Sequence, residues 1–482
     1  MSLFVKKSIE QLMLQADDST KGLKRTLGAG NLVALGIGAI IGAGLFVRTA
    51  EAAGEAAGPA VMISFVVAAI GCAFAGLCYA EFASMIPIAG SAYTYAYATM
   101  GEFIAWIIGW ALVLEYALAS ATVAIAWSEY LNNLLDGAIP YQFCHSPFET
   151  SPDGVSGIIN LPALFILLLL TLVLVKGTKE SAMLNAVIVF VKVAIVLMFI
   201  VLGWQFINPG NHSPFFIPEG TPGHDTFREW GWGGVFGGAA IVFFAFIGFD
   251  AVSTAAQEAK NPKRDMPIGI LGSLIFCTLI YVLFSYVLTG VAPWHEFKTA
   301  GKEASVAYAI KNYMPGFGWL ETLITVAILA GFSSVILVML MGQSRVFYSM
   351  SMDGLMPKVF SDIHEKYQTP YKANFILFLF VGLFAAFVPG SVAGDLTSFG
   401  TLFAFVLVCA GVWVMRVKSP DAVRPFATPL VPLIPILGMI ICSGLIYSLD
   451  PFTQLVAFGW MAFGLLIYFG YSKKNSHLQN RL

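Results

Sequence analysis

The hydrophobic positions of this 482-residue chain are gathered into long apolar blocks that polar loops separate. Each block is about 20 residues long, the length that crosses a hydrocarbon core of roughly 30 Å. Gly58-Pro59, Asn208-Pro209 and Asp450-Pro451 mark some of the boundaries. We therefore predict twelve spans, at about 32–47, 61–85, 103–131, 161–175, 184–207, 233–256, 267–291, 320–347, 374–388, 396–416, 433–448 and 453–471.

Composition strengthens the membrane interpretation. Hydrophobic residues make up 58% of the chain and charged residues 11%, whereas a soluble domain carries about 25% charged residues. So little polar surface cannot coat a soluble protein of this length. The sequence predicts an all-α polytopic membrane protein.

The positions of the basic residues predict its orientation. If the N-terminus is inside, 20 of the 26 lysines and arginines face inwards, 5 face outwards, and Lys192 lies within a span. Short cytoplasmic loops are enriched in Lys and Arg in this way. The first thirty residues also lack the apolar core of a signal peptide. We expect a plasma-membrane protein with both termini in the cytoplasm.

Other function classes find little support in the sequence. The chain contains no GxxxxGK[ST] motif, so an ATP-driven pump would need a partner subunit. An integral membrane enzyme should show paired acids or a His/Cys cluster at one depth, and the six histidines fall in loops or tails. A channel should show a polar stripe along several helices, and these spans are too apolar. A net charge of −2 gives no argument for nucleic acid. We expect a non-enzymatic protein with no metal and no cofactor.

Glycines interrupt spans 1 and 6. Gly42-Ala43-Gly44 lies near the middle of span 1 and Gly248 near the middle of span 6. Each glycine costs roughly 1 kcal/mol relative to alanine in a helix interior, although small residues also simply let membrane helices pack closely. Two interruptions five spans apart are better explained by a five-plus-five inverted repeat whose broken helices frame a substrate site.

This repeat divides the chain into five parts. We predict an N-terminal tail over residues 1–30, a first repeat over 31–207 with spans 1–5, and a second repeat over 233–416 with spans 6–10. Spans 11 and 12 follow over 417–471, and a C-terminal tail covers 472–482.

Broken helices offer two kinds of ligand-binding group. Unwinding frees backbone N–H groups around Ala43, Gly44 and Leu45, at a positive helix end that stabilises a carboxylate. Carbonyls around Phe244, Ala245 and Ile247 can accept hydrogen bonds from an ammonium. An anion cradle beside a cation cradle fits the α-carbon of an amino acid.

Three motifs carry a family resemblance. Residues 36–46 (GIGAIIGAGLF) resemble the first-helix signature of the amino acid–polyamine–organocation superfamily. Residues 244–254, with Asn261-Pro262-Lys263-Arg264-Asp265-Met266-Pro267, and residues 345–355 are similar to its cationic amino acid transporter branch. The resemblance implies a leucine-transporter-type fold, with spans 11 and 12 outside the repeat. Ala43 stands where family members often have Thr or Ser.

Lys192 lies within span 5, roughly 12 Å from its start at 1.5 Å per residue. A central lysine costs roughly 2.5–3.5 kcal/mol on insertion scales, and snorkelling to the interface is the alternative interpretation. Burial disfavours the charged ammonium, so such a lysine can load and release a proton. By the resemblance, it can bind the carbonyls of the span 1 break where sodium-driven relatives bind their ion.

Further candidates lie close to the breaks. Glu115, in the middle of span 3, is expected to bond through water to Lys192 or to the substrate, or to pack as a neutral acid. Asp250 is expected to have a structural role. Ile40 and Val335 are expected to form the distal pocket, with Ser333 and Ser334 on the ion side. Phe246 and Phe249 are candidate gates.

These observations together predict a proton-coupled amino acid permease that works by alternating access. Apolar Ile40 and Val335 favour small neutral amino acids. Cationic ones are an alternative that would need an acid in the distal pocket, for which Glu115 is the only candidate. Its partners are the amino acid substrate, protons and membrane lipid, while a small membrane protein or sterol partner is not predictable from sequence. A proton-independent exchanger on the same fold is the nearest rival, and Lys192 disfavours a sodium symporter because it would repel the ion.

The predicted site consists of the substrate-binding residues Ile40, Gly42, Ala43, Gly44, Glu115, Phe244, Ala245, Phe246, Ile247 and Val335, and the proton-coupling residues Lys192 and Glu115.

Overall fold

A computed structural model describes residues 3–7, 27–86, 88, 90–151, 153–176, 181–298, 305–367 and 369–481. Most of the predicted N-terminal tail, residues 1–2 and 8–26, lies outside the described residues. The described part of the chain is helical and holds two isolated β-bridges but no strand.

Every predicted span corresponds to helix. Span 1 consists of Ala29–Ile40 and a second helical stretch over 44–57, and span 6 of Gly231–Val242 followed by 3₁₀ turns at Phe243–Phe246 and Asp250–Glu258. Spans 2 to 5 are Val61–Met85, Glu102–Leu134, Leu161–Lys176 and Ser181–Gly203. Spans 7 to 12 are Pro262–Val291, Gly318–Met352, Tyr371–Phe387, Gly390–Lys418, Leu433–Ser448 and Pro451–Ile467.

Length and apolar composition make these helices suited to a bilayer. Within the described residues, eight helical stretches are long and apolar enough to cross a membrane, and four shorter apolar helices lie at Ala29–Ile40, Leu161–Lys176, Tyr371–Phe387 and Leu433–Ser448. Large apolar side chains face outwards, such as Val201 on span 5 and Leu466 on span 12, which are 70% and 71% exposed. Together with the helical spans, these apolar faces identify the protein as an all-α polytopic membrane protein.

The spans pack in pairs related by a shift of five. Span 3 packs on span 8 and span 2 on span 7. Contacts of span 3 with span 10 have a counterpart between spans 8 and 5, and those of span 1 with span 7 have one between spans 6 and 2. This pattern supports the five-plus-five repeat, which stays a prediction together with its exact boundaries.

Both chain ends pack on one face of the helix bundle, which we call the terminal face. The carbonyl oxygens of Leu3 and Val5 accept hydrogen bonds from the amides of Phe103 and Glu102 at 3.1 and 2.9 Å. The buried Glu102 carboxylate accepts further hydrogen bonds from Tyr97, Tyr468, Ser476 and Gln479. The start of span 3 therefore joins the two ends of the chain.

Candidate functional site

Spans 1 and 6 are interrupted at the glycines that the sequence singles out. The first helix of span 1 ends at Ile40, Ile41 is extended with ψ 103°, and helix resumes at Gly44. In span 6, Ile247 is extended with ψ 133°, and Gly248 has φ +117°, a conformation that L side chains rarely adopt. Gly248 therefore allows the chain to turn before the 3₁₀ helix that starts at Asp250.

The two interruptions pack directly against each other. A Cβ atom added to Gly44 would lie 2.2 Å from the Cα atom of Ala245, and one added to Gly248 would lie 3.0 Å from the carbonyl group of Ala39. Gly42 meets Val335 of span 8, since its Cβ atom would lie 2.9 Å from a Val335 methyl group. These glycines thus serve close backbone approach as well as unwinding.

Lys192 binds the carbonyl end of the first half of span 1. Its side chain is 1% exposed, and its ammonium donates to the carbonyl oxygens of Gly38 and Ile41 at 2.5 and 2.7 Å. Its stem lies beside Gly331 of span 8, whose added Cβ atom would be 3.4 Å from Lys192 Cδ. The ammonium therefore points into the protein, whereas snorkelling would carry it to the interface.

Tyr281 of span 7 bridges the two interrupted spans. Its buried hydroxyl lies 2.9 Å from the carbonyl oxygen of Ile40 and 2.8 Å from that of Ala245. Its ring packs between those of Phe65 and Phe246, with centroids 5.2 and 5.3 Å away. Sequence reasoning missed this residue because the only signal is a tyrosine inside an apolar span, which packing alone would explain.

One of the three predicted amide donors is already used within the chain. The Leu45 amide donates to the carbonyl oxygen of Gly42 at 3.1 Å, as does that of Phe46 at 3.4 Å. The predicted carboxylate cradle is therefore left with the amides of Ala43 and Gly44.

A small cavity lies between the interruptions, and its walls are apolar. Its volume is about 10 Å³, roughly the space for one water molecule. Seven of the predicted residues line it: Ile40, Gly42, Ala43, Gly44, Phe244, Ile247 and Val335. The rest of its lining, which the sequence did not single out, is Ala39, Ala119, Val123 and Met339. Of these, Ala119 and Val123 lie one helical turn apart on span 3.

The other predicted residues lie around this cavity. Ala245 packs on Gly44 and holds the Tyr281 hydroxyl, while Phe246 packs on Phe65 and Tyr281. Phe249 contacts the rings of Tyr79 and Phe405. Packing therefore accounts for the positions of both candidate gate residues.

Glu115 lies one helical turn from Ala119, on the side of the terminal face. It is fully buried, and neither carboxylate oxygen reaches a hydrogen-bond donor in the described part of the chain. The nearby Thr401 hydroxyl donates instead to the carbonyl oxygen of Thr397. Lys192 is bonded to span 1, so the two predicted proton-coupling residues make no direct hydrogen bond.

Asp250 is the second buried acid of this region. One of its carboxylate oxygens accepts a hydrogen bond from the Tyr116 hydroxyl at 3.1 Å, which ties the second half of span 6 to span 3. This contact is of the structural kind that the sequence favours for Asp250.

Contacts close the cavity on both sides. Away from the terminal face, the buried Arg48 of span 1 pairs with Glu51 at 2.6 Å and with Asp395 of span 10 at 2.5 Å. Its guanidinium also lies 5.7 Å from the ring centroid of Phe244. Towards the terminal face, the Lys260 amide donates to the Leu27 carbonyl oxygen at 2.8 Å. This arrangement is an occluded one.

Comparison with known proteins gives a consistent result. A family described as amino acid permease matches residues 27–473. The chain is 44% identical over 482 residues to the branched-chain amino acid permease BcaP of Bacillus subtilis (strain 168), with 99% of each chain covered. It is 41% identical over 480 residues to the methylthioribose transporter of the same organism, again with 99% of each covered. The vacuolar cationic amino acid transporter 4 of Arabidopsis thaliana is 33% identical over 424 residues, which cover 88% of this chain and 68% of that relative.

Proposed function

The chain belongs to the amino acid permease family, and from this premise we propose that it is a proton-coupled permease of small neutral amino acids that works by alternating access. The observation that carries the proposal is the cavity between the two interrupted spans, with backbone groups of opposite polarity at its edges. The Ala43 and Gly44 amides bind the substrate carboxylate. Carbonyl groups of Phe244, Ala245 and Ile247 accept from its ammonium.

Substrate entry requires the two interruptions to move apart. The cavity has room for only about one water molecule, and Gly44 touches Ala245. An amino acid therefore fits only when spans 1 and 6 separate. The Ala245 carbonyl already accepts a hydrogen bond from Tyr281. A substrate ammonium then replaces or joins that hydroxyl, so substrate binding and helix position are linked.

The side-chain end of the cavity favours a neutral apolar substrate. Ala119, Val123, Val335 and Met339 line it, and a polar ligand would leave its hydrogen-bonding groups unpaired against them. A methylthioribose, whose sugar carries hydroxyl groups, therefore fits these walls less well than a branched-chain amino acid, the substrate in the name of the Bacillus BcaP relative. A cationic side chain would have to reach Glu115, which lies beyond the cavity wall.

Lys192 is the proposed carrier of the coupling proton. Its protonated ammonium binds the Gly38 and Ile41 carbonyls, where it holds the first half of span 1 in the occluded position. Deprotonation removes that attraction and allows this half-helix to move. The same ammonium excludes a sodium ion from these carbonyls. Glu115 is the alternative proton carrier.

We further propose that the terminal face is cytoplasmic, in the plasma membrane. The excess of lysines and arginines in the tails and in the loops on that side supports this orientation.

Uptake into liposomes tests the proposed function. The purified protein is reconstituted, and radiolabelled leucine uptake is measured with and without an inward proton gradient. We expect the gradient to drive accumulation, and unlabelled valine and alanine to compete better than arginine or methylthioribose. Uptake that ignores the gradient but requires internal amino acid would establish the exchanger instead, and failure of every amino acid to compete would reject the substrate class.

A further inference from the structure

A second pocket lies on the terminal face, separate from the transport cavity. Its volume is about 330 Å³, and it lies between N-terminal residues, the helix Ser91–Thr99 and the end of span 10. It is lined by Lys6, Lys7, Thr99, Met415, Lys418 and Ser419, among others. Small-molecule sites in proteins start at about this size.

Among the residues that the structure describes, two of its three lysines have no ion-pair partner. The Lys7 ammonium forms an ion pair with Asp353 and lies 4.9 Å from the ring centroid of Tyr97. Lys6 and Lys418 form no ion pair within the described residues. The pKa of Lys6 is lowered from its ordinary value, first by partial burial and then by the positive charge of Lys418. Two like charges therefore face one pocket.

Neighbouring residues in the chain fix the positions of Lys6 and Lys418. Lys6 follows Val5, whose carbonyl is bonded to Glu102, and precedes Lys7, whose ammonium is held by Asp353. Lys418 is the last residue of span 10. Because the two segments are fixed independently, the pairing of the two charges is part of the fold.

We propose that this pocket binds a phosphate-bearing anion between the ammonium groups of Lys6 and Lys418. Lysine binds phosphate as a point charge, and an anion between two like charges removes their repulsion. Val417, beside Lys418, is 71% exposed on an apolar span, so the pocket lies where the span meets the lipid headgroups. The same chemistry fits an anionic phospholipid headgroup or free phosphate.

Thermal unfolding of the detergent-purified full chain tests the proposal. The protein is titrated with dioctanoyl phosphatidylglycerol, dioctanoyl phosphatidylcholine, and sodium phosphate at constant ionic strength. We expect the Tm to rise with phosphatidylglycerol concentration and to reach a plateau. Lys6→Gln and Lys418→Gln should each weaken its apparent affinity about fivefold, the loss expected for one basic residue near an anionic lipid. Lys366→Gln, which removes an exposed lysine outside the pocket, should bind like the unchanged chain.

The titrations also distinguish the two sources of the anion. A response to both phosphatidylglycerol and phosphate that depends on Lys6 and Lys418 indicates that a free anion suffices, and a response to phosphatidylglycerol alone indicates a lipid headgroup. Equal stabilisation by phosphatidylcholine, an unchanged response in a variant that carries both Lys6→Gln and Lys418→Gln, or no stabilisation at all would overturn the proposal. Without ligand, the Tm of each variant should equal or exceed that of the unchanged chain, because a repulsion between two lysines is removed. A lower ligand-free Tm would reveal a variant that folds poorly.

Discussion

At the scale of single residues, Lys192 has the clearest physical role. A buried ammonium in an apolar span is costly unless it is hydrogen-bonded. Here the interrupted helix of span 1 supplies two carbonyl oxygens that have lost their helical partners. The Lys192 ammonium gives these two carbonyl oxygens a hydrogen-bond donor, and they in turn compensate for the burial of its charge.

Replacing Lys192 should separate binding from coupling. Lys192→Met keeps the apolar stem but removes the titratable group, so we expect loss of accumulation driven by an inward proton gradient, while slow exchange of substrate continues. Liposome uptake with and without the gradient measures both. If the Met variant still concentrates substrate in response to the gradient, Glu115 becomes the leading candidate, and Glu115→Gln is the next variant to measure.

A side chain at Gly44 should force spans 1 and 6 apart. In Gly44→Ala the new methyl group would lie 2.2 Å from Ala245 Cα, and backbone atoms cannot yield as a flexible side chain can. We expect at least a tenfold loss of uptake and a lower Tm, since overpacking costs about 1–3 kcal/mol. Gly459→Ala is the control, because its added Cβ meets nothing within 4 Å. Uptake by Gly44→Ala at the unchanged rate would contradict this close packing as a requirement for transport.

Tyr281 offers a test that removes one oxygen atom. In Tyr281→Phe the Ile40 and Ala245 carbonyls lose their shared donor, and an unsatisfied buried group costs about 1–3 kcal/mol. We expect slower uptake with a raised KM for substrate. Tyr286→Phe is the control, because it removes a tyrosine hydroxyl five residues further along the same span, and it should transport normally. Equal kinetics for the two variants would show that the bridging hydroxyl is dispensable.

At the scale of elements, the occluded arrangement depends on where helices are interrupted and what joins their halves. The Arg48–Asp395 ion pair connects the second half of span 1 to span 10, and the Lys192 and Tyr281 contacts hold the end of its first half. The two halves of span 1 therefore have separate partners. Alternating access needs such independence, because one half must move while the other stays in place.

Weakening the Arg48 contact should open the side of the cavity away from the terminal face. Asp395→Asn removes one charged partner from Arg48, and a hydrogen bond to a charged group contributes about 1.5–3 kcal/mol. A cysteine placed at Val123, which lines the cavity, should then react with an external thiol reagent about tenfold faster. Asp136→Asn changes an exposed acid just after span 3, outside the Arg48 ion pairs, so its labelling rate should match that of the Val123→Cys parent. If Asp395→Asn were labelled no faster than the parent, the Arg48–Asp395 ion pair would not be what closes this side of the cavity.

At the scale of the whole molecule, the two faces differ in what they carry. The terminal face holds the chain ends, the Glu102 network and the lysine pocket, and the other face holds the long loops, described over 135–151, 153–160, 204–230, 292–298 and 305–317. The charge distribution predicts that the terminal face is cytoplasmic. This orientation is a prediction that labelling can test.

Single cysteines report the orientation directly. All six native cysteines are buried, including Cys144 at 1% exposure, so they give little background. Phe148→Cys and Val423→Cys replace side chains that are 79% and 83% exposed on opposite faces. In intact cells an impermeant maleimide should label the first and leave the second unlabelled until the cells are lysed. The reverse pattern would invert the proposed topology.

Much of this architecture was predictable from the sequence because a bilayer imposes simple rules. In lipid, the backbone groups of a helix must form hydrogen bonds within the helix, so the span positions follow from the lengths of the apolar blocks. The helix interruptions at Gly42–Gly44 and Gly248 follow from the low helix propensity of glycine. Lys192 stood out for the same reason, as a charge with no aqueous neighbour along its span. The comparisons confirm the family resemblance that the motifs at residues 36–46, 244–254 and 345–355 indicate.

Only the tertiary structure decided which groups meet. The Tyr281 hydroxyl joins two carbonyls that are about 200 residues apart in sequence, and Ala119, Val123 and Met339 reach the cavity because spans 3 and 8 pack there. The same packing leaves the Glu115 carboxylate without a hydrogen-bond donor among the described residues. Sequence patterns record the local demands of helix and lipid, whereas distances between spans depend on how all the side chains pack at once. The sequence therefore determined the spans, the interruptions and the buried lysine, and the packing of the spans decided the shape of the cavity and the partners of each polar group.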